Sequence, residues 1–131
     1  MLSKINSVGL MGLDGFMVEV QTDISNGIPA FEMVGLPDMA VRESKERVRS
    51  AIRNSGYSIP AKRIILNLAP ANLRKEGPSY DLPIAVSVMN ASEMLAPFDY
   101  EKSIFIGELA LDGTVKPVTG VLPMVISAYN K

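Results

Sequence analysis

The sequence predicts an α/β fold in which helices pack on a mixed β-sheet. Segments that alternate apolar and polar residues, as half-buried strands do, dominate the N-terminal part. Helical patterns and short strand patterns then follow, giving the order β-β-β-α-β-α-β-β-α. The length of 131 residues is close to the common size of one domain, so we expect a single domain, 1–131.

The N-terminal part predicts a hairpin, a third strand and a helix. INSVGLMG and FMVEVQTDIS alternate around the turn residues LDG, which indicates a β-hairpin, and AFEMVGL indicates a third strand. Pro37 and Asp38 are residues that begin helices, and we expect this helix to end near Asn54. The spacing of its apolar residues predicts a buried face formed by Val41, Val48 and Ile52.

The C-terminal part predicts a strand, a buried helix, two more strands and a final helix. RIILNLAP is a strand that Pro70 ends, and SYDLPIAVSVMNASEM is apolar enough to be a buried helix with Pro83 in its first turn. SIFIGELAL and GTVKPV indicate two strands around the turn LDGT. TGVLPMVISAYNK begins a helix that has no closing cap, so we expect the domain to be truncated at its C-terminus.

The composition excludes several kinds of catalytic site. The chain has no cysteine and no histidine, so it offers no thiolate nucleophile, no Ser-His-Asp triad and no zinc–thiolate site. We therefore expect no metal or cofactor in this chain. The N-terminus lacks a signal-peptide pattern and no apolar run is long enough to span a membrane, so we expect a cytoplasmic protein.

The charge of −1 is unevenly distributed. Residues 42–75 hold nine basic and two acidic residues, a net charge of +7, and the remainder has a net charge of −8. This asymmetry is typical of a surface that meets an anionic partner or an acidic neighbouring subunit. For the helix alone, the favoured interpretation is a solvated face on which Arg47 pairs with Glu43. The candidate contacts, three of them on one helical stripe, are Arg42, Arg49, Arg53 and Lys75.

Three blocks of the chain resemble one known family. NLAPANLRKEGPSYDLPIA (67–85), GLPDMAVRESKERVRSAI (35–52) and IGELALDGTVKPVTGVLPMV (106–125) are similar to the N-terminal domain of magnesium-chelatase-related AAA+ ATPases of the ComM/YifB competence-protein type. The resemblance implies a ribosomal protein S5 domain 2-like fold, similar to the Lon protease domain. It also implies an accessory role in DNA processing or competence.

The same resemblance implies partners and cofactors outside this chain. A P-loop would read GxxxxGK[ST], and this sequence contains none. We therefore expect a downstream AAA+ module to bind ATP and magnesium, and a homo-oligomeric ring to form around it. Nucleic acid is an alternative partner, although no aromatic residues are clustered among the arginines to stack with bases.

The likeness to Lon also bears on catalysis. Lon-type proteases carry their nucleophile in Gly-Pro-Ser, which corresponds here to Ser79, and their catalytic lysine position falls on Leu122. A serine hydroxyl is a weak nucleophile without a base beside it, so we expect a degenerate dyad and no catalytic residue. The alternatives are an active or degenerate Ser-Lys peptidase and a direct nucleic-acid-binding module.

Ser79 and Lys75 also have structural interpretations. Lys75 lies in a loop between charged neighbours, where we expect a solvated amine rather than a catalytic one. Ser79 precedes a helix, and we expect it to be the N-cap, with its oxygen accepting a backbone N–H near Asp81 or Leu82.

Overall fold

The computed structural model describes residues 1–130 and has the predicted order of elements. Its strands are β1 (Leu2–Met11), β2 (Asp14–Ser25), β3 (Ala30–Val34), β4 (Arg63–Ala69), β5 (Glu108–Leu109) and β6 (Val115–Lys116). Its helices are α1 (Met39–Asn54), α2 (Asp81–Ala91) and α3 (Val121–Tyr129). Single 3₁₀ turns lie at Pro78–Tyr80 and Tyr100–Lys102. The predicted domain end at Lys131 lies outside the described residues.

The main sheet is mixed, which confirms the predicted fold class. Its strand order is β1-β2-β4-β3. The pairs β1–β2 and β2–β4 are antiparallel, and the pair β4–β3 is parallel. A parallel pair needs a crossover connection, and α1 provides it between β3 and β4. The sheet therefore combines the predicted hairpin with one β-α-β unit.

The strands β5 and β6 form a separate hairpin and are shorter than the sequence patterns suggested. Each has two residues, because the chain before β5 finds other backbone partners. Phe105 N–H donates to the Asn6 carbonyl, and Gly107 N–H donates to the Ser79 carbonyl, both at 3.0 Å. These single bonds replace a longer ladder and fasten β5 beside the start of α2.

The β1–β2 hairpin has helices on both faces. Ser3 pairs with Thr22 on the face covered by α2, where the Thr22 hydroxyl lies 2.7 Å from the Ser87 hydroxyl. Leu10 pairs with Gly15 on the opposite face, since side chains alternate along a strand. There Gly15 N–H donates to the Ser127 hydroxyl of α3 at 3.0 Å.

The helix α1 begins and packs as its sequence predicts. The Asp38 carboxylate accepts the Val41 N–H at 2.8 Å and caps the helix. Val41, Val48 and Ile52 are buried against the sheet, which confirms the predicted apolar face. At 16 residues α1 is the longest of the helices, and none of those within residues 1–130 is long and apolar enough to cross a membrane.

Candidate functional site

A cavity of about 640 Å³ opens between the tip of the β1–β2 hairpin and the segment that leads into α2. The residue before α1, β5 and the loop between β6 and α3 complete its walls. No lysine or arginine lines it in the part of the chain that the structure describes. The lining includes the polar residues Asp38, Glu76, Ser79, Glu108 and Thr119 and the apolar residues Leu10, Val118 and Met124.

The segment below this cavity is held by a buried lysine. The Lys75 side chain has no exposed surface, and its ammonium group donates to the carbonyls of Gly35, at 2.8 Å, and Pro70. Burial lowers the pKa of Lys75 below its ordinary value. The predictions of a solvated Lys75 and of a surface contact through it are therefore wrong, because the folded chain brings carbonyls from two other segments around the amine.

Asp38 connects the start of α1 to the segment before α2. Besides capping α1, its carboxylate accepts the Gly77 N–H at 3.2 Å. The Asp38 N–H donates to the Lys75 carbonyl at 2.9 Å, so side chain and backbone both fix this segment. Gly77 has φ +83°, a conformation that glycine adopts without strain. One carboxylate thus positions the loop that carries Ser79.

Asp81 joins α1, α2 and β5 behind the cavity. Its carboxylate is fully buried and accepts Arg47 Nε at 2.6 Å, Arg47 Nη2 at 3.0 Å and the Leu109 N–H at 3.0 Å. The Ser44 hydroxyl donates to the same carboxylate. The carboxylate also raises the pKa of Arg47, chiefly through these hydrogen bonds.

The interaction between Arg47 and Asp81 was missed by sequence reasoning. That reasoning paired Arg47 with Glu43 on the helix surface, whereas Arg47 reaches 34 residues along the chain to Asp81. A bidentate hydrogen bond from a guanidinium group to a buried carboxylate is stronger than an ion pair between two exposed side chains on a helix. The available signal was one acidic residue at the start of an otherwise apolar helix pattern.

Ser79 does not cap α2, so that prediction is wrong. Tyr80 occupies the N-cap position, and no side-chain hydrogen bond caps the helix. The 3₁₀ turn runs directly into α2, so backbone carbonyls already serve the first donors: Asp81 N–H donates to Pro78, and Leu82 N–H donates to Gly107 at 3.0 Å. The Ser79 hydroxyl is left without this role.

Ser79 instead lines the cavity. Ser79 is only 8% exposed, and its hydroxyl has no hydrogen-bond partner within residues 1–130. Every fully shielded side-chain oxygen or nitrogen in that range has a partner. The Ser79 hydroxyl has no partner, so it is not one of the fully shielded atoms. The small exposed area of Ser79 therefore includes its hydroxyl oxygen.

The described residues place no lysine amine beside Ser79. Lys75 is bonded elsewhere, and Lys116 is exposed on β6. Leu122, the position aligned with a catalytic lysine, is 71% exposed on α3 and is not part of the cavity lining. The arrangement offers a polar, acidic recess without an amine that could accept the serine proton.

Tyr80 follows Ser79 in the chain but does not line this recess. Its side chain is buried, and burial together with the charges of Asp38 and Glu76 raises the pKa of its phenol. A Cβ atom on Gly9 would collide with the Tyr80 hydroxyl oxygen and with the Phe16 ring, so a larger residue fits there only if these side chains shift. The hairpin tip and α2 therefore approach closely at this point.

The basic stripe on α1, formed by Arg42, Arg49 and Arg53, is exposed as the helix pattern implies. Arg49 is the most constrained, because its guanidinium lies 5.4 Å from the centre of the Phe31 ring. Arg49 and Lys62 also line a second cavity of about 300 Å³. Two other basic residues of the segment, Arg47 and Lys75, are bonded internally, whereas Lys62, Arg63 and Arg74 are exposed like the stripe.

The chain is similar to one protein family and to several named bacterial proteins. Residues 20–131 match the family model described as subunit ChlI of Mg-chelatase. Over 98% of its length the chain is 46% identical to YifB of Salmonella typhimurium and 43% identical to competence protein ComM of Haemophilus influenzae. It is 25% identical over 95% of its length to Lon protease 2 of Bacillus subtilis. The chain spans about a quarter of the length of these relatives (26%, 25% and 25%).

Proposed function

Because this chain belongs to the family of Mg-chelatase subunit ChlI and is a domain of the ComM type, we propose that it serves as a non-catalytic accessory domain of a larger AAA+ ATPase. Residues 1–131 would form its Lon-like N-terminal domain. In this role the domain supports assembly of the motor or its engagement of substrate, in the cytoplasm. ATP and magnesium are bound by a module that lies elsewhere in the parent protein.

The observation that carries the proposal is the Ser79 cavity. A Lon-like serine sits in a recess with carboxylates and hydroxyls around it, while the aligned lysine position is Leu122 on an exposed helix face. General-base assistance typically contributes about 10²–10⁴-fold to a rate, and a serine without it is a poor nucleophile. This geometry supports binding rather than peptide hydrolysis.

A serine-reactive probe tests the non-catalytic half of the proposal. We expect no labelling of Ser79 and no cleavage of unfolded protein by the 131-residue chain. The Ser79→Ala variant is the matched control, since it removes one hydroxyl from the same recess. Peptidase activity and labelling that both disappear in Ser79→Ala would overturn the proposal in favour of an active peptidase.

The accessory half is tested in the parent protein. Deleting the segment equivalent to 1–131 is expected to impair assembly or substrate-stimulated ATP hydrolysis, while the ATPase module still binds nucleotide. Full assembly and full stimulated activity after the deletion would remove the basis for an accessory role.

A second candidate function, direct contact with nucleic acid, is favoured by the exposed stripe on α1. Arg42, Arg49 and Arg53 are available together, and arginine binds phosphate through paired donors. Three phosphate contacts on duplex DNA predict that log K falls with log salt with a slope of about −2.7. A salt titration with the wild type and the Arg42/Arg49/Arg53→Ala triple variant tests it. Tight binding that the triple variant leaves unchanged would exclude the stripe.

A further inference from the structure

We propose that the acidic Ser79 cavity of one copy of this chain receives the Arg49–Arg53 end of the α1 stripe of a second copy. This inference deepens the assembly role proposed above and rests on it for its biological purpose. Both contacting surfaces are formed by residues of this chain. It joins two different surfaces, so it is a head-to-tail contact between copies.

The cavity has the chemistry of a cation acceptor. Asp38, Glu76 and Glu108 line it, and no basic residue does so within residues 1–130. Glu76 pairs with Arg74 at 3.2 Å, but both side chains are well exposed, and such a pair is held weakly. The residues that line the recess within 1–130 therefore include three carboxylates and no basic side chain.

Ser79 adds a hydroxyl to the lining of this recess. The residue is more than nine-tenths buried, and its hydroxyl keeps a small accessible area and has no hydrogen-bond partner among the described residues. A group that enters the cavity can therefore bond to it. A guanidinium group has five N–H donors and no acceptor, so it matches a hydroxyl oxygen together with carboxylates.

The carboxylates are arranged for an extended cation rather than for a metal ion. No group of three or more acidic side chains in residues 1–130 is close enough to hold a metal ion. The cavity of about 640 Å³ also has an apolar wall, which includes Leu10 and Met124. Long arginine side chains fit such a recess, since their methylene stems pack on apolar surface while their charged ends reach carboxylates.

The stripe that would enter the cavity lies far from it on the same copy. With a helical rise of about 1.5 Å per residue, Arg49 and Arg53 lie about 16 Å and about 22 Å along α1 from Asp38, whereas Arg42 lies about 6 Å away. Arg49 and Arg53 point outward at the other end of the helix, and Arg49 is preorganised by its contact with Phe31.

The charge distribution favours a second copy over nucleic acid as the partner. Residues 42–75 have a net charge of +7 and the remainder −8, so a copy carries both halves of a complementary pair. A polyanion would be attracted by one half and repelled by the other.

The test uses two charge-reversed forms of the 131-residue chain. One carries Arg49→Glu and Arg53→Glu, and the other carries Glu76→Lys and Glu108→Lys. Asp38 is left unchanged because it caps α1. A matched control, Lys4→Glu with Lys102→Glu, reverses two exposed charges outside both surfaces and changes the net charge by the same amount as the arginine form. Circular dichroism confirms that each form is folded.

Sedimentation velocity at low salt measures association between copies. We expect the wild type and the control to associate, each reversed form alone to remain monomeric, and an equimolar mixture of the two reversed forms to associate again. The mixture regains association because the arginines of one form meet the carboxylates of the other. Association should weaken by at least tenfold at about 1 M salt, where the screening length is about 3 Å.

Several outcomes would overturn the proposal. They are a monomeric wild type at millimolar concentration and low salt, reversed forms that still associate alone, or a mixture that stays monomeric while the wild type associates. Binding of an oligonucleotide by the wild type, lost in the Arg49/Arg53 form and without copy–copy association, would assign the stripe to nucleic acid instead. Because these measurements need neither ATP nor the motor, their failure leaves the accessory role to be judged by the deletion experiment alone.

Discussion

Replacing Arg47 by methionine is expected to destabilise the fold far more than the same change at an exposed arginine of α1. Methionine keeps much of the aliphatic stem but removes the guanidinium that bonds Asp81 through Nε and Nη2. The Asp81 carboxylate has no exposed surface, so water cannot easily replace the lost donors. In this variant the buried Asp81 carboxylate keeps its charge but loses the two hydrogen bonds from Arg47.

The size of the effect follows from these contacts. Removing one partner of a buried ion pair typically costs about 3–5 kcal/mol. Two features reduce this cost: the Arg47 side chain is 23% exposed, and Asp81 keeps the bonds from Ser44 and the Leu109 N–H. We therefore expect the free energy of unfolding to fall by about 2–4 kcal/mol.

Urea unfolding followed by circular dichroism measures this difference. Arg53→Met is the matched control, because Arg53 is exposed on the same helix, and its effect should stay within about 0.5 kcal/mol. The double variant Arg47→Met/Asp81→Asn should be less destabilised than the sum of the two single variants, since the pair acts as a unit. An Arg47→Met effect as small as that of the control would refute the structural role given to this pair.

Three further predictions concern single side chains. Ile52→Ala is expected to lower the free energy of unfolding by about 2–5 kcal/mol, because Ile52 is 3% exposed in the core, and a change below about 0.5 kcal/mol in urea unfolding would contradict this. Lys75→Met should destabilise by about 1–3 kcal/mol by leaving two carbonyls without their donor, whereas Arg74→Met at the exposed neighbour should be close to neutral, and equal effects would be inconsistent with the buried amine. Tyr80→Phe should unfold with a flatter alkaline pH dependence than the wild type. The folded phenol keeps its proton above its ordinary pKa of 10.0 while the unfolded phenol loses it, so wild-type stability should fall as the pH rises above about 10. Parallel urea midpoints of the two proteins between about pH 8 and pH 11 would refute this.

The elements of the fold were largely predictable, because local patterns encode them. Alternating residues specified the β1–β2 hairpin, and the apolar spacing of α1 identified Val41, Val48 and Ile52 as buried. Asp38 was recognised as a helix-start residue and does cap α1. Strand lengths were less predictable: β5 is short because its neighbouring backbone groups bond to Asn6 and Ser79, which lie far away along the chain.

The candidate site was only partly predictable. The sequence pointed to Ser79 and to the basic stripe, and the structure places Ser79 in a cavity and leaves the stripe exposed. The sequence did not reveal that Lys75 is buried or that Ser79 does not cap α2. Lys75 was misjudged because its neighbours in sequence are charged, whereas its neighbours in space are carbonyl groups.

The order of strands and helices, the apolar face of α1 and the charge asymmetry could all be read from short stretches of chain. Their causes act over a few residues: side-chain alternation, helical spacing and the conformational limits of proline and glycine. The partners of the buried charges depend on contacts across the fold instead. Lys75 bonds to a carbonyl 40 residues away, and Arg47 bonds to a carboxylate 34 residues away. A buried charge is stable only with a partner of matching geometry, and packing of distant segments decides which groups become those partners.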